Sequence, residues 1–297
     1  MEQISIGFIG LGRMGRCIVQ NLIRNGYQVF GYDILPVSKD QVQGINIVDS
    51  VEQVGKHAEI VLLSLPDTES VRDVVLGEQG LMQAMRSGSV IIDTSTIDPM
   101  VGKELFSITA GRSITYLDAP VSGSIPWAEK GILTIMVGGT QEQFTKYLPV
   151  LKCIGKNIYY TGPSGSGQMT KLCHQLIFYA TSVALSEAMA LGTQLGLDSR
   201  NMLKVIKKSA APTNILKFMG PNLLHRSYDN VLGDINLGIK DLSLVVDMEQ
   251  EIQFPGFLGM NLKGLFEKAV EEGYGQLDQT AIMKLFTKEV NANGNLT

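Results

Sequence analysis

Three glycines near the start of the chain have the spacing of a loop that cradles a pyrophosphate. The motif G-x-G-x-x-G is matched by Gly10-Leu11-Gly12-Arg13-Met14-Gly15. In such a loop Gly10 permits a tight turn, Gly12 lets the backbone approach the phosphates, and Gly15 lets the following helix pack against the strand. The N–H groups and the positive dipole end of that helix would face the anion. The pattern predicts a dinucleotide-binding site, and the alternative is the same strand and helix with no nucleotide.

A single acid follows this motif at the distance at which a carboxylate meets ribose hydroxyls. Asp33 lies 18 residues after Gly15, close to the usual spacing of about 20. A carboxylate there binds the adenosine ribose 2′-hydroxyl and repels a 2′-phosphate. The residues that follow, Ile34, Leu35 and Pro36, include no arginine that would receive that phosphate. We therefore expect NAD rather than NADP; the alternative is a solvated acid at a strand end.

One lysine stands where a proton-transfer group would be useful. Lys171 begins a largely apolar helical segment just after a glycine-rich stretch, and Gln175 follows one helical turn later on the same face. Partial burial lowers the pKa of an ammonium group, because the charged form loses hydration, so Lys171 suits proton transfer to a substrate oxygen. Gln175 is within reach of the same oxygen. A solvated lysine and a helix-surface amide are the alternatives.

Two loops with hydroxyl side chains follow predicted strands, where doubly wound sheets bind ligands. One contains Ser122-Gly123-Ser124, and the other contains Thr96. Ser and Gly are also common in ordinary turns, and a Thr shortly before Pro99 suits a turn or a helix N-cap. Residue types alone leave both interpretations open for each loop.

Residues 1 to about 162 alternate short β-rich runs with amphipathic segments. Ile-Val-Leu-Leu and Val-Ile-Ile are continuous apolar runs, typical of strands that helices cover on both faces. The alternation predicts an α/β domain with a doubly wound parallel sheet of the Rossmann type. We predict strands at Ile4–Ile9, Gln28–Tyr32, Glu59–Leu65, Ser89–Asp93, Thr115–Leu117, Leu133–Val137 and Asn157–Tyr160.

After Gly162 the pattern becomes helical. Pro221 and Pro255 predict breaks between helices. The helices are expected at 167–195, 199–210, 236–252, 259–272 and 279–290.

The two patterns predict two domains joined by the long helix. Residues 1–162 form the NAD-binding domain, and residues 163–297 form an all-α domain for substrate binding and dimerisation. The long helix is apolar from Leu172 to Leu191 but includes Glu187 and several small polar residues. This composition is too polar for a membrane span, so we predict a helix buried in a soluble protein.

Composition excludes several classes of protein. The 297 residues are 44% hydrophobic and 18% charged, which indicates a packed globular chain rather than a disordered one. The net charge is −4 and no basic stripe is present, so nucleic acid is not an expected partner. The N-terminus lacks the features of a signal peptide.

Cysteine and histidine usage indicates a reducing compartment and no metal. Cys17, Cys153 and Cys173 are far apart and odd in number, so they form no disulfide framework. The three histidines lie at no metal-ligand spacing from one another or from a cysteine, which argues against a zinc site. We expect a cytoplasmic protein.

Four ordered motifs and the opening segment resemble one enzyme family. Gly7 to Gly15 resembles the start of the 3-hydroxyisobutyrate dehydrogenase family of β-hydroxyacid dehydrogenases. The later motifs follow in the family's order and span almost the whole chain: Asp93-Thr94-Ser95-Thr96-Ile97-Asp98-Pro99, Asp118-Ala119-Pro120-Val121-Ser122-Gly123, Gly165-Ser166-Gly167 with Lys171, and Ile239-Lys240-Asp241-Leu242. Within the family, Thr170-Lys171-Leu172 with Gln175 is most similar to tartronate semialdehyde reductase.

The resemblance implies an activity and a set of roles. It implies interconversion of a small 3-hydroxy acid and its semialdehyde by an NAD-dependent oxidoreductase, with Lys171 catalytic. Ser122 and Gly123 would hold the substrate carboxylate. The remaining implied roles belong to the cofactor: Leu65 and Pro66 would pass along it, Thr96 would lie near the nicotinamide ribose, and Lys240 would reach back to the active site. A homo-oligomer, dimer or tetramer, is also implied.

The chain departs from the family pattern around the substrate rather than the cofactor. Ser124 replaces the second glycine after Ser122, and its side chain would crowd the anion site or add a hydroxyl donor. His174 stands where Asn is common and either contacts substrate or packs against a neighbouring helix. Gly233 replaces a common Phe, and Trp127 occupies a loop position where Gly or Lys is usual. The substrate therefore stays open.

Two alternative functions remain at this stage. A related reductase acting on another carbonyl or on an imine would suit the altered pocket, although Lys171 argues against the imine reductases. A non-catalytic dinucleotide-binding module is the other alternative, and the presence of Lys171, Thr96 and Ser122 argues against it. Sequence leaves the substrate, the direction of the reaction and the oligomeric state undetermined.

Overall fold

The computed structural model describes residues 4–36, 42–209 and 214–287. The chain divides into two compact units, Met1–Lys171 and Leu172–Thr297. The boundary between them lies within helix α8 (Ser166–Gln194). The domain boundary expected at 162/163 stays a prediction.

The first unit is built on one sheet, in agreement with the predicted Rossmann-type domain. All seven predicted strands are present, with ends that differ by up to two residues. Two further strands of two residues each, β3 and β7, were not predicted. The strands are β1 (Ser5–Ile9), β2 (Gln28–Tyr32), β3 (Asn46–Ile47), β4 (Ile60–Leu63), β5 (Val90–Asp93), β6 (Thr115–Asp118), β7 (Val121–Ser122), β8 (Leu133–Gly138) and β9 (Gly155–Gly162).

The sheet is parallel over most of its width and mixed at one side. Its order is β3-β2-β1-β4-β5-β6-β8-β7, with β9 paired to β8. The pairs from β3 to β6 are parallel, while β8 runs antiparallel to β6 and β7 and parallel to β9. The parallel sheet expected from the sequence is therefore present from β3 to β6, and the antiparallel pairs lie beyond β6. Between β6 and β8 the chain forms β7 and one short helix, and β8 then pairs antiparallel with β6.

Helices cover both faces of this sheet, as the continuous apolar runs predicted. In β4, Ile60 and Leu62 pack into one hydrophobic cluster, while Val61 and Leu63 pack into another. Alternate side chains of one strand thus belong to different cores, so every position of the strand is apolar. The covering helices are α1 (Arg13–Arg24), α2 (Val51–His57), α3 (Thr68–Leu76), α4 (Leu81–Ala84), α5 (Pro99–Ala110), α6 (Ile125–Glu129) and α7 (Gln141–Ile154).

The second unit is helical over its described residues, as predicted. Two of its elements differ from expectation: an additional helix, α10, was not predicted, and the last predicted helix is a 3₁₀ helix, Gln279–Phe286. Residues 210 and 288–290 of the predicted helices lie outside the described residues. The α-helices after α8 are α9 (Ser199–Lys208), α10 (Asn214–His225), α11 (Ile235–Glu251) and α12 (Leu258–Glu271).

The predicted break at Pro221 is wrong, because this proline lies inside α10. A proline within a helix removes one backbone hydrogen bond, at a cost of about 3 kcal/mol. On either side of it, Leu216, Met219 and Leu223 are buried in one hydrophobic cluster. Burial of each such side chain contributes roughly 1.5–3 kcal/mol, which together exceeds the lost bond.

By length and composition alone, helix α8 is long and apolar enough to cross a membrane. Its mean hydropathy reaches 1.3 over 18 residues, and 39% of that window is buried within the protein. A single helix of this kind is weak evidence for a membrane protein, because the core helix of a soluble protein passes the same test.

Candidate cofactor cleft and active site

The three glycines of the first loop differ in what a side chain would meet at each position. Gly10 has φ +98°, and a Cβ there would overlap the carbonyl oxygen of Ser64. A Cβ at Gly15 would overlap the carbonyl oxygen of Gly10, so the helix approaches the strand too closely for a side chain. A Cβ at Gly12 would meet nothing within 4 Å. Gly10 and Gly15 therefore preserve the loop itself, whereas Gly12 leaves space beside it.

Helix α1 begins beside this open space, and no side chain caps its N-terminus. Its N-cap is Gly12, no side chain caps it, and its first turn contains no acidic residue. The first N–H groups of an α-helix have no partner within the helix and carry a partial positive charge. This end of α1 can therefore bind an anionic group that approaches through the gap at Gly12.

The glycine loop opens into a cleft of about 750 Å³. The walls come from the loops after β1, β2 and β4, at the carboxyl ends of three neighbouring parallel strands. That edge is where open α/β sheets bind ligands. Most of the predicted cofactor residues of this unit line the cleft: Gly10, Gly12, Arg13, Met14, Gly15, Asp33, Leu65 and Pro66. Leu11 instead buries its side chain in the core.

Asp33 is held at the cleft by the backbone. Its Oδ2 accepts a hydrogen bond from the N–H of Leu11 at 2.6 Å, and its Oδ1 accepts one from the N–H of Leu35 at 2.8 Å. A carboxylate has about four acceptor sites, so two remain for ribose hydroxyls. The cleft lining contains a second acid, Asp73, and among its described residues Arg13 is the one cation. The residues present therefore fit a dinucleotide, with the phosphates at α1 and the ribose at Asp33.

The loop after β5 contains Thr96 and is fixed through its neighbour Ser95. The Ser95 Oγ accepts a hydrogen bond from the N–H of Leu65, at 2.9 Å, in the loop that lines the cleft. The Ser95 N–H donates to Oδ1 of Asp93, also at 2.9 Å. Ser95 therefore joins the end of β5 to the cofactor side of the unit.

Two aspartates end neighbouring strands in register at this edge of the sheet. Asp93 pairs with Asp118 across β5 and β6, and both are fully buried. The Tyr116 hydroxyl donates to Oδ2 of Asp93 at 2.8 Å. Burial raises the pKa of Asp93 to about 6, because the carboxylate loses hydration, although hydrogen bonds from Ser95 and Tyr116 oppose the shift. Burial likewise raises the pKa of Asp118.

Asp118 fixes the start of helix α8. Its Oδ1 accepts a hydrogen bond from the N–H of Gly165 at 2.9 Å, and its Oδ2 accepts one from the N–H of Gln168 at 3.1 Å. Gly167 makes this approach possible, since a Cβ there would lie 2.7 Å from the backbone oxygen of Asp118. The negative charge of a carboxylate also stabilises a helix N-terminus. The motif Gly165-Ser166-Gly167 thus allows the start of α8 to approach and bind Asp118.

Gln168 connects the same helix to the loop after β5. Its side chain is fully buried; the Nε2 donates to the carbonyl oxygen of Ser95 at 2.8 Å, and the Oε1 accepts from the N–H of Ile97 at 3.2 Å. Lys171 follows three residues later and is 7% exposed. Residues at this spacing are neighbours on a helix surface.

The predicted carboxylate loop forms the end of β7 and the start of α6. Gly123 has φ +137°, and a Cβ there would lie 2.8 Å from Leu133 and 3.2 Å from Trp127. Glycine is therefore required, and Trp127 packs against it. Ser124 is the N-cap residue of α6 without a side-chain cap bond, and its buried Oγ has no hydrogen-bond partner among the described residues. The hydroxyl of Ser124 thus has no structural task in this loop.

The predicted site residues of the second unit form a hydrogen-bonded group around Asp241. Gln175 Nε2 and the Tyr179 hydroxyl both contact Oδ2 of this buried carboxylate, and the Tyr179 distance is 3.0 Å. Lys240 forms an ion pair with Oδ1 at 2.9 Å. The Nδ1 of His174 lies 3.0 Å from Oε1 of Gln175. Lys240 is therefore paired with a buried acid rather than a surface one.

Asp93, Asp118 and Gln168 are among the residues to which sequence reasoning assigned no role. The two aspartates each follow or end a strand predicted from apolar runs, which is the signal that could have placed them together. Gln168 gave no such signal, because its partners are 71 and 73 positions away in the chain. Among the described residues, no group of three or more His, Cys, Asp or Glu side chains could hold a metal ion.

Two family models match the chain and together cover nearly all of it. Residues 5–162 match the NAD binding domain of 6-phosphogluconate dehydrogenase. Residues 165–286 match the model described as NAD-binding of NADP-dependent 3-hydroxyisobutyrate dehydrogenase. The chain belongs to the 3-hydroxyisobutyrate dehydrogenase family.

Individual relatives agree with this membership. A probable mitochondrial 3-hydroxyisobutyrate dehydrogenase of Dictyostelium discoideum is 36% identical, with 96% of this chain and 91% of the relative covered. The 2-(hydroxymethyl)glutarate dehydrogenase of Eubacterium barkeri is 33% identical, with 96% and 95% covered. The crystal structure of 3-hydroxyisobutyrate dehydrogenase from Salmonella typhimurium has a TM-score of 0.87 at 27% identity, with 95% and 100% covered.

Membership of the 3-hydroxyisobutyrate dehydrogenase family confirms the predicted enzyme class. The chain is an NAD(P)-dependent dehydrogenase of hydroxy acids, with a Rossmann-like first unit and a helical second unit. The roles assigned to individual residues, including Lys171, Thr96 and Lys240, stay predictions.

Proposed function

We propose that the enzyme interconverts a small 3-hydroxy acid and its semialdehyde with NAD, and that Lys171 is the proton-transfer residue. The observation that carries this proposal is the position of Lys171. It is buried, and it lies one turn after Gln168, which is hydrogen-bonded to the loop after β5 and to Asp118 at the end of β6. The cofactor cleft opens at the same carboxyl edge of the sheet.

The chemistry of the proposed step needs one proton from the protein. When bound, the nicotinamide exchanges a hydride with the carbon of the carbonyl or hydroxyl group. In the direction of reduction, the Lys171 ammonium donates its proton to the aldehyde oxygen, which becomes the hydroxyl. In the direction of oxidation, neutral Lys171 accepts that proton from the hydroxyl. Positioned proton transfer of this kind contributes about 10²- to 10⁴-fold to a rate.

The acid group of the substrate is assigned to the loop at Ser122. In this proposal the Ser122 hydroxyl and the N–H groups of Gly123 and Ser124 donate to the carboxylate. The left-handed backbone at Gly123 supports this assignment, since successive N–H groups in such turns form a concavity that suits anions. The Ser124 Oγ, which is buried without a partner in the described loop, supplies a further donor.

The preference for NAD over NADP is assigned to Asp33. Its carboxylate is oriented by two backbone N–H groups, and Asp73 adds a second negative charge to the cleft lining. A 2′-phosphate would be repelled there, whereas a 2′-hydroxyl donates a hydrogen bond. The cation of the lining, Arg13, belongs to the first turn of α1, where the pyrophosphate is expected.

Steady-state assays of the purified enzyme test this function. We would measure oxidation of 3-hydroxyisobutyrate and 2-(hydroxymethyl)glutarate, and reduction of tartronate, methylmalonate and succinate semialdehydes, each with both cofactors. Lys171→Ala should lower kcat by about 10²-fold or more while NADH affinity stays the same. Lys152→Ala, which removes an exposed lysine of α7 in the same unit, is the matched control.

The outcomes separate the alternatives. Lysine-dependent turnover with NAD of one compound supports the proposal and identifies the substrate class. Full activity in Lys171→Ala would refute the proton-transfer role. Bound NADH without turnover of any acid or aldehyde would favour a different carbonyl or imine substrate, or a binding module. The cytoplasmic location and the homo-oligomer also stay proposals, which fractionation and light scattering can test.

A further inference from the structure

One buried amide connects the loop of Thr96 to the helix that contains Lys171. The Gln168 side chain donates to the carbonyl oxygen of Ser95 and accepts from the N–H of Ile97, so its two bonds bracket Thr96. Because the bonds have opposite polarity, the side chain must be a donor and an acceptor at once. Gln168 is fully buried, so water does not supply either bond in its place.

The loop that Gln168 holds is also attached to the cofactor side of the unit. Ser95 accepts a hydrogen bond from Leu65 through its Oγ and donates one to Asp93 through its N–H. With the bond to Gln168, each polar group of Ser95 binds a different part of the fold: the cleft wall, the end of β5, and α8. Ser95 is therefore a junction between these three elements.

The other end of this connection is fixed as well. The N–H of Gln168 donates to Asp118, which also accepts from Gly165. The first turn of α8 is thus attached to β6 by its backbone and to the loop after β5 by a side chain. Lys171 lies three residues further on, where Cβ atoms are about 5–6 Å from those of Gln168. The rotation of this turn sets where the lysine points.

We propose that Gln168 is a positioning residue for the reaction: through Ser95 and Ile97 it fixes the Lys171 turn of α8 relative to the cofactor cleft. This inference rests on the proposed role of Lys171. The geometry between a proton donor and a reacting centre is strict, and a displacement of about 1 Å lowers a rate by about 100-fold. Loss of the two amide bonds frees the turn to shift without removing any group that contacts substrate or cofactor.

Three variants test the proposal on the full-length enzyme. Gln168→Met has nearly the same volume and makes neither bond, so kcat should fall by roughly 10- to 100-fold, while the Kd of NADH changes less than about threefold. Gln168→Glu keeps the acceptor and, when protonated, regains a donor. Its kcat relative to wild type should therefore rise as the pH is lowered, whereas the same ratio for Gln168→Met stays flat. Asp93 and Asp118 are present in all of these proteins, and Gln168→Met, which has no titrating group at 168, shows their contribution to the pH dependence.

Gln143→Met is the matched control. This half-buried glutamine of the same unit also makes two side-chain bonds, to the N–H of Thr140 and to the Thr115 hydroxyl, and it belongs to a capping box of α7. The control should lose stability and keep kcat per folded molecule. Urea unfolding of each variant gives the folded fraction by which rates are divided.

The results distinguish this inference from the proposed function. A large loss in Gln168→Met with a small one in Gln143→Met, and acid rescue in Gln168→Glu, supports positioning. Wild-type kcat in Gln168→Met, or an equal loss in both glutamine variants, overturns it even where Lys171→Ala is inactive. Full activity of Lys171→Ala overturns the proposed function and this inference together. Should Gln168→Met fail to fold, the pH dependence of Gln168→Glu alone decides.

Discussion

Gly12 and Gly15 differ in what surrounds them, so the same substitution should have different effects at the two positions. A side chain at Gly12 meets nothing within 4 Å, and its backbone, at φ −66° and ψ −170°, is open to any residue. A Cβ at Gly15 overlaps the carbonyl oxygen of Gly10 and lies 2.9 Å from the Phe8 ring. We expect Gly12→Ser to impair cofactor binding and leave the fold intact, and Gly15→Ser to destabilise the fold.

The expected magnitudes follow from these contacts. Serine is a preferred N-cap residue, so Gly12→Ser should change the free energy of unfolding by less than about 0.5 kcal/mol. Its Cβ and Oγ enter the space left for the pyrophosphate, and the Oγ accepts an N–H that would bind a phosphate. Loss of one hydrogen bond to a charged group, roughly 1.5–3 kcal/mol, weakens NADH binding about 10- to 100-fold. The overlap at Gly15 is with backbone, so no rotamer relieves it, and the cost is about 3 kcal/mol or more.

Two measurements on each variant separate an effect on cofactor binding from an effect on stability. Titration by NADH fluorescence gives the Kd, and urea denaturation gives the free energy of unfolding. The reasoning predicts that the two variants separate, with the larger effect on Kd for Gly12→Ser and on unfolding for Gly15→Ser. Wild-type NADH affinity in Gly12→Ser would show that the phosphates do not pass this residue. Wild-type stability in Gly15→Ser would show that α1 and β1 are not in the close contact described.

Three further predictions concern single side chains. Asp33→Ser should lower the preference for NADH over NADPH, measured as the ratio of kcat/KM values, by about tenfold. This factor corresponds to the loss of one hydrogen bond to a charged group. An unchanged ratio would assign the preference to another residue. The pKa of Asp93 is raised from 3.8 to about 6, so between these pH values the folded chain holds a proton that the unfolded chain releases. The free energy of unfolding should therefore fall as pH rises from about 4 to 6, by about 3 kcal/mol at 1.36 kcal/mol per pKa unit, and urea unfolding of Asp93→Asn should show a flatter profile; equal slopes in both proteins would contradict this origin. Ser124→Ala removes a buried hydroxyl without a partner, so stability should stay the same or rise by up to about 1 kcal/mol, while KM for the acid substrate rises; a large loss of stability would mean that the hydroxyl is bonded within the fold.

Local patterns in the sequence were sufficient for most of the fold. The run Ile-Val-Leu-Leu at β4 is apolar at every position because its side chains pack into two different hydrophobic cores. Four consecutive residues are therefore enough to predict this strand. The glycine motif is equally local, since Gly10 and Gly15 lie five residues apart and a Cβ at Gly15 would overlap the carbonyl oxygen of Gly10. Strand β7 was not predicted because two residues are too few to show an alternating pattern. Helix α10 was not predicted because it contains a proline, whose cost is offset by burial in the tertiary structure.

The candidate site was predictable only in part, for a physical reason. Residue types and spacing predicted roles for Lys171 and Asp33, and the family resemblance added the loop at Ser122; these roles stay predictions. The bonds that hold these residues depend on tertiary structure. Gln168 meets Ser95 across 73 positions, and no local pattern distinguishes it from a solvated glutamine. Asp93 and Asp118 resemble ordinary strand-end acids until the register of β5 and β6 is known.

The Gln168–Ser95 bond also affects the order in which the working enzyme is assembled. The described lining of the cofactor cleft lies between residues 9 and 80, whereas this bond needs residue 168. During synthesis the cleft residues leave the ribosome well before residue 168. A chain halted between these two points of synthesis should therefore contain the whole described cleft lining and lack the connection to the turn of Lys171.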